Sequence, residues 1–319
     1  MPWKIQMELW HTVGLDIPVS INVGTHQLQH TDFVERLRDL LGTHPGVRPD
    51  NLVIEVLETR ALEDIANVSR VINSCREIGV MFALDDFGIG YSSLTHLKRL
   101  LVTQIKIDQS FVHSMLDSRD DLAILETVLG LGAAFHRQVI AEGVETVEHG
   151  EMLLQLGCDL AQGYIIARPM PANELPDWAA TWRPDPSWCN LPAVTHDDLP
   201  LLVASVDHRA WIASIEAFLK GEHEVPPPMN RHQCRFGMWL DTKGLIRYGT
   251  QSAFAAIEVL HQQVHVLGAE LLELHARGSN QEALARLGKL HGLRDALLNQ
   301  LKTLKEVSYF LKQQGKIPY

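Results

Sequence analysis

The sequence is poor in the features that would place it in a membrane, a secreted scaffold or a coat on nucleic acid. It has four cysteines, Cys75, Cys158, Cys189 and Cys234, too far apart to form a short paired motif. That usage fits a reducing compartment, so the expected location is cytoplasmic. No apolar run reaches the length of about 18 residues that a membrane span needs, and none is expected here. The opening "MPWKIQMELWHTVGLD" lacks the basic-then-apolar layout of a signal peptide. Positive charge is also scarce: 28 Lys and Arg stand against 39 Asp and Glu, a net charge of −11. This argues against a bulk nucleic-acid binder, which would need a basic face to collect phosphates. A small phosphate ligand stays compatible, provided that metal ions offset the charge. Low-complexity tracts are missing, and 46% hydrophobic residues over 319 positions suffice for two domains with buried cores.

Residues 18–169 alternate short β-type runs with helix-length segments. The runs are "PVSINV" (18–23), "NLVIEVLE" (51–58), "MFALDDF" (81–87), "QIKID" (104–108), "QVIAEGVE" (138–145) and "AQGYIIA" (161–167). Between them lie amphipathic stretches, such as the one where Ile65, Val68, Ile72 and Cys75 recur at helical spacing. Such alternation predicts parallel strands in an α/β fold, and near-continuous apolar runs predict strands covered on both faces. Candidate polar residues fall at the carboxyl ends of different strands, as in a (β/α)8 TIM-type barrel rather than at one switch point of an open sheet. With six units visible, we read an incomplete barrel whose opening units are absent from this chain, spanning 1–182. The proline-rich stretch 183–198 reads as a linker. Beyond it, 199–221, 252–278 and 280–312 carry helical periodicity, with Gly221 and Gly278 at plausible C-caps, so 199–319 is expected to be a small all-α bundle.

Within "FALDDFGIGYSSL" (82–94), Asp85 and Asp86 stand side by side. Neighbours on a regular strand face opposite ways, but at a strand end, where the chain turns, both can face one pocket. A pair of divalent cations about 3.5–4 Å apart rewards that arrangement. Mg2+ or Mn2+ prefers oxygen donors, and Asn22, Glu55, Glu142 and Gln162 sit at or near other strand ends, with Lys106 as a lone cation among them. Singly, each residue has an ordinary reading as a turn, cap or surface group; together they would have to converge by chance.

The motifs "SINVGTHQL", "VIEVLE", "ALDDFGIGYSSL", "IKIDQSFV", "IAEGVET" and "LAQGYIIARPM" resemble, in order, those of the EAL domain, the cyclic-di-GMP phosphodiesterase family. The resemblance covers about 3–178. It implies a barrel with one reversed strand and hydrolysis of cyclic di-GMP to the linear dinucleotide. It further implies Asn22, Glu55, Asp85, Asp86 and Glu142 as metal ligands, with Asp85 bridging. Lys106 would orient or stabilise the attacking water and Gln162 would lie near it. Glu58 and Glu145 would be supporting carboxylates, Glu58 steadying the loop after Asp86. The family's E-A-L tripeptide, whose glutamate is a metal ligand, is missing from the start of this sequence, and Glu8, in helical phase, does not replace it. Leu57 stands where the family usually has threonine. The expectation is an upstream region outside this chain or, alternatively, a catalytically inactive domain acting as a cyclic-di-GMP receptor or protein-interaction module.

In the helical half, His261 and His265 stand four apart on one helix face, and with His208 and Cys234 they would satisfy tetrahedral Zn2+. Spacing alone leaves His223, His232, His275 and His291 as rivals. "DHRAWIASIEAFLKG", "CRFGMWL" and "HQQVH" resemble the chemoreceptor zinc-binding (CZB) domain over about 202–268. That resemblance implies His208, Cys234, His261 and His265 as the zinc ligands and a regulatory role sensing zinc or thiol oxidants. Both resembled families imply a homodimer.

Overall fold

A computed structural model describes residues 3–63, 65–90, 94–189, 191, 194–195, 197–229 and 234–313. The chain forms two compact units: Met1–Ser114 with Ala123–Leu191, and Met115–Leu122 with Pro192–Tyr319.

The first unit is built on six strands, β1 (Val19–Asn22), β2 (Leu52–Leu57), β3 (Met81–Phe87), β4 (Gln104–Ile107), β5 (Gln138–Ala141) and β6 (Leu160–Ala161). They pair in sequence order and every pair is parallel, giving a curled half-barrel with helices between the strands. The reversed strand implied by the resemblance is not among the described residues. Helix Ile65–Ile78 buries Val68, Ile72 and Cys75, the apolar face read from their spacing. Double-sided burial holds only in the middle of the sheet. All residues of β4 and all but Leu57 of β2 are buried, whereas β1 alternates half-buried and exposed and both residues of β6 are exposed. End strands of an open sheet have a neighbour on one side only, which leaves them uncovered.

Two expected strands are shorter than their apolar runs. The run 138–145 stops pairing at Ala141, because Gly143 turns the chain with φ +72°. In 161–167 only Ala161 is strand. Gly163 lies so close to the Val144 backbone that a Cβ there would come 2.1 Å from the Val144 carbonyl oxygen. The chain then folds over, with Ile165 N–H donating to Val144 O at 3.1 Å and Ala167 N–H to Gly163 O at 3.0 Å. Its apolar residues therefore line a turn. The opening residues Trp3–Thr12 form a helix, as their phase predicts.

The second unit is helical. Leu199–Lys220 ends on Gly221 in the left-handed region at φ +78°, the C-cap read from the sequence. Ser252–Ala276 is continuous, whereas the predicted 280–312 helix breaks at Arg286 into Asn280–Ala285 and Leu287–Gln313. Its core joins Ile212, Ile215 and Leu219 to Phe254, Ile257, Val264, Leu297 and Leu301. A buried polar knot ties three helices together. The Asp198 carboxylate accepts from the Tyr248 hydroxyl and, at 3.0 Å, from Ser308, and the two hydroxyls lie 2.8 Å apart.

Candidate metal and phosphodiester site

Each strand of the half-barrel delivers at least one site position in or just after its carboxyl half. Asn22 closes β1 and pairs in register with Glu55 of β2; Asp85 and Asp86 lie near the end of β3; Lys106 is in β4; Glu142 and Gln162 directly follow β5 and β6. The aspartate pair faces one way because β3 bulges. Between Leu84↔Ile105 and Phe87↔Ile107, β3 uses one residue more than β4, and Asp86 absorbs it with φ +53°. A bulge re-aims a side chain in this way, and aspartate tolerates the left-handed region better than most residues. Carboxylate oxygens of Asp85, Asp86 and Glu142 consequently lie within 4.8 Å of one another.

Lys106 is the hub of this cluster and only 5% exposed. Its Nζ lies 2.5 Å from Glu142 Oε1, 2.9 Å from Glu55 Oε1 and 3.2 Å from Asp85 Oδ1. Burial by itself pushes the ammonium pKa down, but hydrogen bonds to Glu142 and Glu55 and their charge outweigh it and leave it raised. Glu142 is pushed up by burial, against the pull of Lys106. Asp86 is pushed up by burial and then by the charges of Asp85 and Asp108. Three crowded carboxylates, two of them penalised for ionising, make a hard oxygen donor set that suits Mg2+ or Mn2+.

The remaining expected residues divide. Glu58 is fully buried at the start of helix Glu58–Glu63, where its Oε2 accepts from Gly88 N–H at 2.9 Å. Gly88 needs its glycine: φ is +109° and a Cβ would meet Phe111 at 2.8 Å. Asn22 and Gln162 are exposed at the two ends of the row. Glu145 is not brought to the cluster. Its carboxylate turns to His113, 3.7 Å away, and its N–H donates to His149 Nδ1 at 3.4 Å. A further residue belongs beside the site: Asp108, buried, which repels Asp86 and accepts from the Ser110 N–H at 2.8 Å. It ends "QIKID" with a serine two positions on, an Asx-turn signal that could have singled it out.

In the helical unit, ligand atoms of His208, Cys234, His261 and His265 lie within 4.8 Å of one another. His208 and the pair one turn apart on Ser252–Ala276 form a triangle, with ring centroids 5.0 Å (His208–His261), 6.0 Å (His208–His265) and 4.7 Å (His261–His265) apart. His208 Nδ1 donates to Ala204 O at 2.7 Å, while its buried Nε2 has no hydrogen-bond partner among the described residues. The backbone thus sets the tautomer and leaves a lone pair aimed inward, the arrangement of a metal-ligating histidine. Burial also lowers the His208 pKa, keeping the ring neutral. Among the rivals, His275 is held by Asn280 at 2.9 Å, His291 by Glu216 at 3.1 Å, and His223 is exposed. His232 lies outside the described residues.

With this geometry in view, the likeness to known proteins can be placed on it. A family model described as the EAL domain matches residues 4–169, and one described as the chemoreceptor zinc-binding domain matches 208–272. The bifunctional diguanylate cyclase/cyclic di-GMP phosphodiesterase MucR of Pseudomonas aeruginosa is 37% identical over 171 residues, 53% of this chain and 25% of that protein. The oxygen sensor protein DosP of Escherichia coli is 35% identical over 56% of this chain and 22% of its own length. This chain therefore spans about a quarter of the length of these curated relatives. Among solved structures, a PaMucR phosphodiesterase in complex with c-di-GMP is similar at 37% identity and TM-score 0.51, over 54% of this chain and 70% of that one. The EAL domain of Mycobacterium smegmatis DcpA is similar at 34% identity and TM-score 0.53, over 56% and 81%.

Proposed function

The chain belongs to the EAL domain family and carries a chemoreceptor zinc-binding domain, and from that premise we propose that it hydrolyses cyclic di-GMP to the linear dinucleotide under the control of a zinc site. The observation that carries this reading is the convergence of Asp85, Asp86 and Glu142 around Lys106. Asp85, Asp86, Glu142, Glu55 and Asn22 would hold two divalent cations, Mg2+ or Mn2+. When bound, such ions offset phosphodiester charge and make water a stronger nucleophile at neutral pH. Lys106 keeps its proton in this setting and donates toward the reacting oxygens, orienting water and stabilising charge that develops on the phosphoryl group. Glu142, the carboxylate nearest to Lys106, takes up the proton of the attacking water. Glu58 holds the backbone at Gly88 and so fixes the turn that follows Asp86. Gln162 lies beside the water, and Glu145 supports the Glu142 loop through His113 and His149. A P–OH bond forms from water and one P–O ester bond to ribose breaks, the departing ribose oxygen taking up a proton to become a hydroxyl, with no covalent enzyme intermediate.

In the second unit, His208, Cys234, His261 and His265 would bind one Zn2+, whose borderline softness suits three imidazoles and a thiolate. The domains we assign are 1–182 for the barrel, 183–198 for the linker and 199–319 for the zinc-binding bundle, in a cytoplasmic homodimer.

Turnover of labelled cyclic di-GMP with Mg2+ or Mn2+ tests the enzyme reading. Linear product from the wild type, and none from Asp85→Asn, is the expected result. A second reading, an inactive receptor for cyclic di-GMP, is favoured by one feature: Asn22 is exposed on the end strand while Glu55 is engaged by Lys106. Tight binding with no linear product would establish that reading instead.

A further inference from the structure

The proline-rich stretch that follows the last barrel helix does not run free at its start. Residues 183–189 belong to the first unit, whose last residue is Leu191. Pro186–Trp188 form a single 3-10 turn closed by Asp185, whose carboxylate accepts from Ser187 N–H at 2.9 Å and whose carbonyl accepts from Trp188 N–H at 3.0 Å. Pro184 and Pro186 fix φ on either side of Asp185, which makes this strap stiff. It presents the Trp188 indole to helix Val147–Gln155, where Nε1–H donates to Val147 O at 3.0 Å. Gly150 makes the room, since a Cβ there would stand 2.4 Å from the ring. An indole laid on bare helix backbone, with its one donor satisfied, is a specific seat.

That helix is the far support of the loop that carries Glu142. Residues 142–146 join β5 to it. At the near end Glu142 N–H donates to Ile107 O at 3.2 Å, and Val144 N–H donates to Gln162 O at 3.0 Å. At the far end Thr146 caps the helix, its Oγ1 accepting from His149 N–H at 3.1 Å, and Glu145 N–H donates to His149 Nδ1 at 3.4 Å. Val147, to which the indole bonds, follows Thr146 directly, and Gly150 follows the buried His149. Trp188 thus grips the same first turn that holds the loop. We infer that Trp188 is a positioning residue for Glu142: it fixes the first turn of helix Val147–Gln155 and, through Thr146 and His149, the loop that brings the Glu142 carboxylate to Lys106. The inference rests on the reading of Glu142 as part of the catalytic cluster. A misplacement of about 1 Å at a reacting group can cost about 100-fold in rate, so a remote anchor of this kind matters to the chemistry. The chain enters the second unit at Pro192, so the segment that holds the Glu142 loop is also one that joins the two units.

The test uses the full chain and two readouts, amide hydrogen exchange followed by mass spectrometry and steady-state turnover of cyclic di-GMP. Trp188→Ala should speed exchange across 142–149 by about tenfold and leave β2, β3 and β4 unchanged. Gly150→Ala, which pushes the indole off its seat without touching the strap, should give the same pattern. Trp188→Phe keeps a ring but no donor, and should fall between wild type and Trp188→Ala. In both alanine variants kcat should drop about 10- to 100-fold while KM stays within about twofold, the split expected when reacting geometry rather than substrate binding is lost. Three results would overturn the inference: exchange at 142–149 unchanged in both alanine variants, exchange accelerated throughout the first unit, or local acceleration with kcat intact. A wild type without turnover counts against the enzyme reading instead, and the exchange pattern then decides the anchoring of the loop by itself.

Discussion

Lys106 shows how a single residue can hold a repulsive cluster together. Glu55, Asp85 and Glu142 all lie within 3.2 Å of its Nζ, and none of the four is more than partly exposed. Removing the cation from a buried charge cluster costs about 3–5 kcal/mol. Lys106→Met is thus expected to lower the unfolding free energy by about that amount in metal-free buffer, with Mg2+ or Mn2+ restoring part of it; denaturant melts with and without metal check both parts. Turnover should fall in the same variant even when metal restores stability, since the cation proposed to orient water is gone. At this scale most of the site was legible from residue type and position at strand ends. Glu145 was not, since its carboxylate turns to His113 and its backbone N–H to His149, which nothing in the local pattern announces. Asp108 reads as an ordinary turn former until Asp86 is seen beside it.

At the scale of elements, the β3 bulge and the turn after β6 position the chemistry. Gly163 packs on the Val144 backbone with no room for a methyl, so Gly163→Ala should shift the Gln162 turn and cost about 1–3 kcal/mol, as overpacking does. A fall in melting temperature together with reduced turnover is the expected readout; unchanged values would show that the turn relaxes freely. Among the helices, Tyr248 is fully buried, and burial followed by its bond to Asp198 pushes its hydroxyl up to about 12 from an ordinary 10.0. A folded value above the unfolded one means that its stabilising contribution is complete below pH 10 and is lost as pH rises through about 12. Wild type should therefore lose stability across that window more steeply than Tyr248→Phe, by up to about 3 kcal/mol, in pH-dependent denaturant titrations. The helix break at Arg286 and the turn in 161–167 were hidden from the sequence, because apolar residues at close spacing look alike in a strand, a helix and a packed turn.

For the whole molecule, two units imply two separable responses. Chelation, or Cys234→Ala, should remove about one zinc per chain and lower the melting transition of the helical unit, since a structural zinc site contributes its binding free energy to folding. The transition of the half-barrel should respond to Mg2+ or Mn2+ instead. Calorimetry with metal analysis separates the two, and stoichiometric zinc retained in Cys234→Ala would exclude the ligand set. The primary structure alone determined the alternation of strands and helices, the order of polar residues along the strand ends, and the histidine pair one turn apart. These are local matters, encoded by side-chain period and by residue type within a few positions. Only the tertiary structure decided that Asp85 and Asp86 share a face and that His208 and Cys234 join that pair while His275 and His291 bond elsewhere. Those outcomes depend on strand register and helix packing between residues far apart in the chain, where the meeting of two side chains is set by the contacts of every element between them.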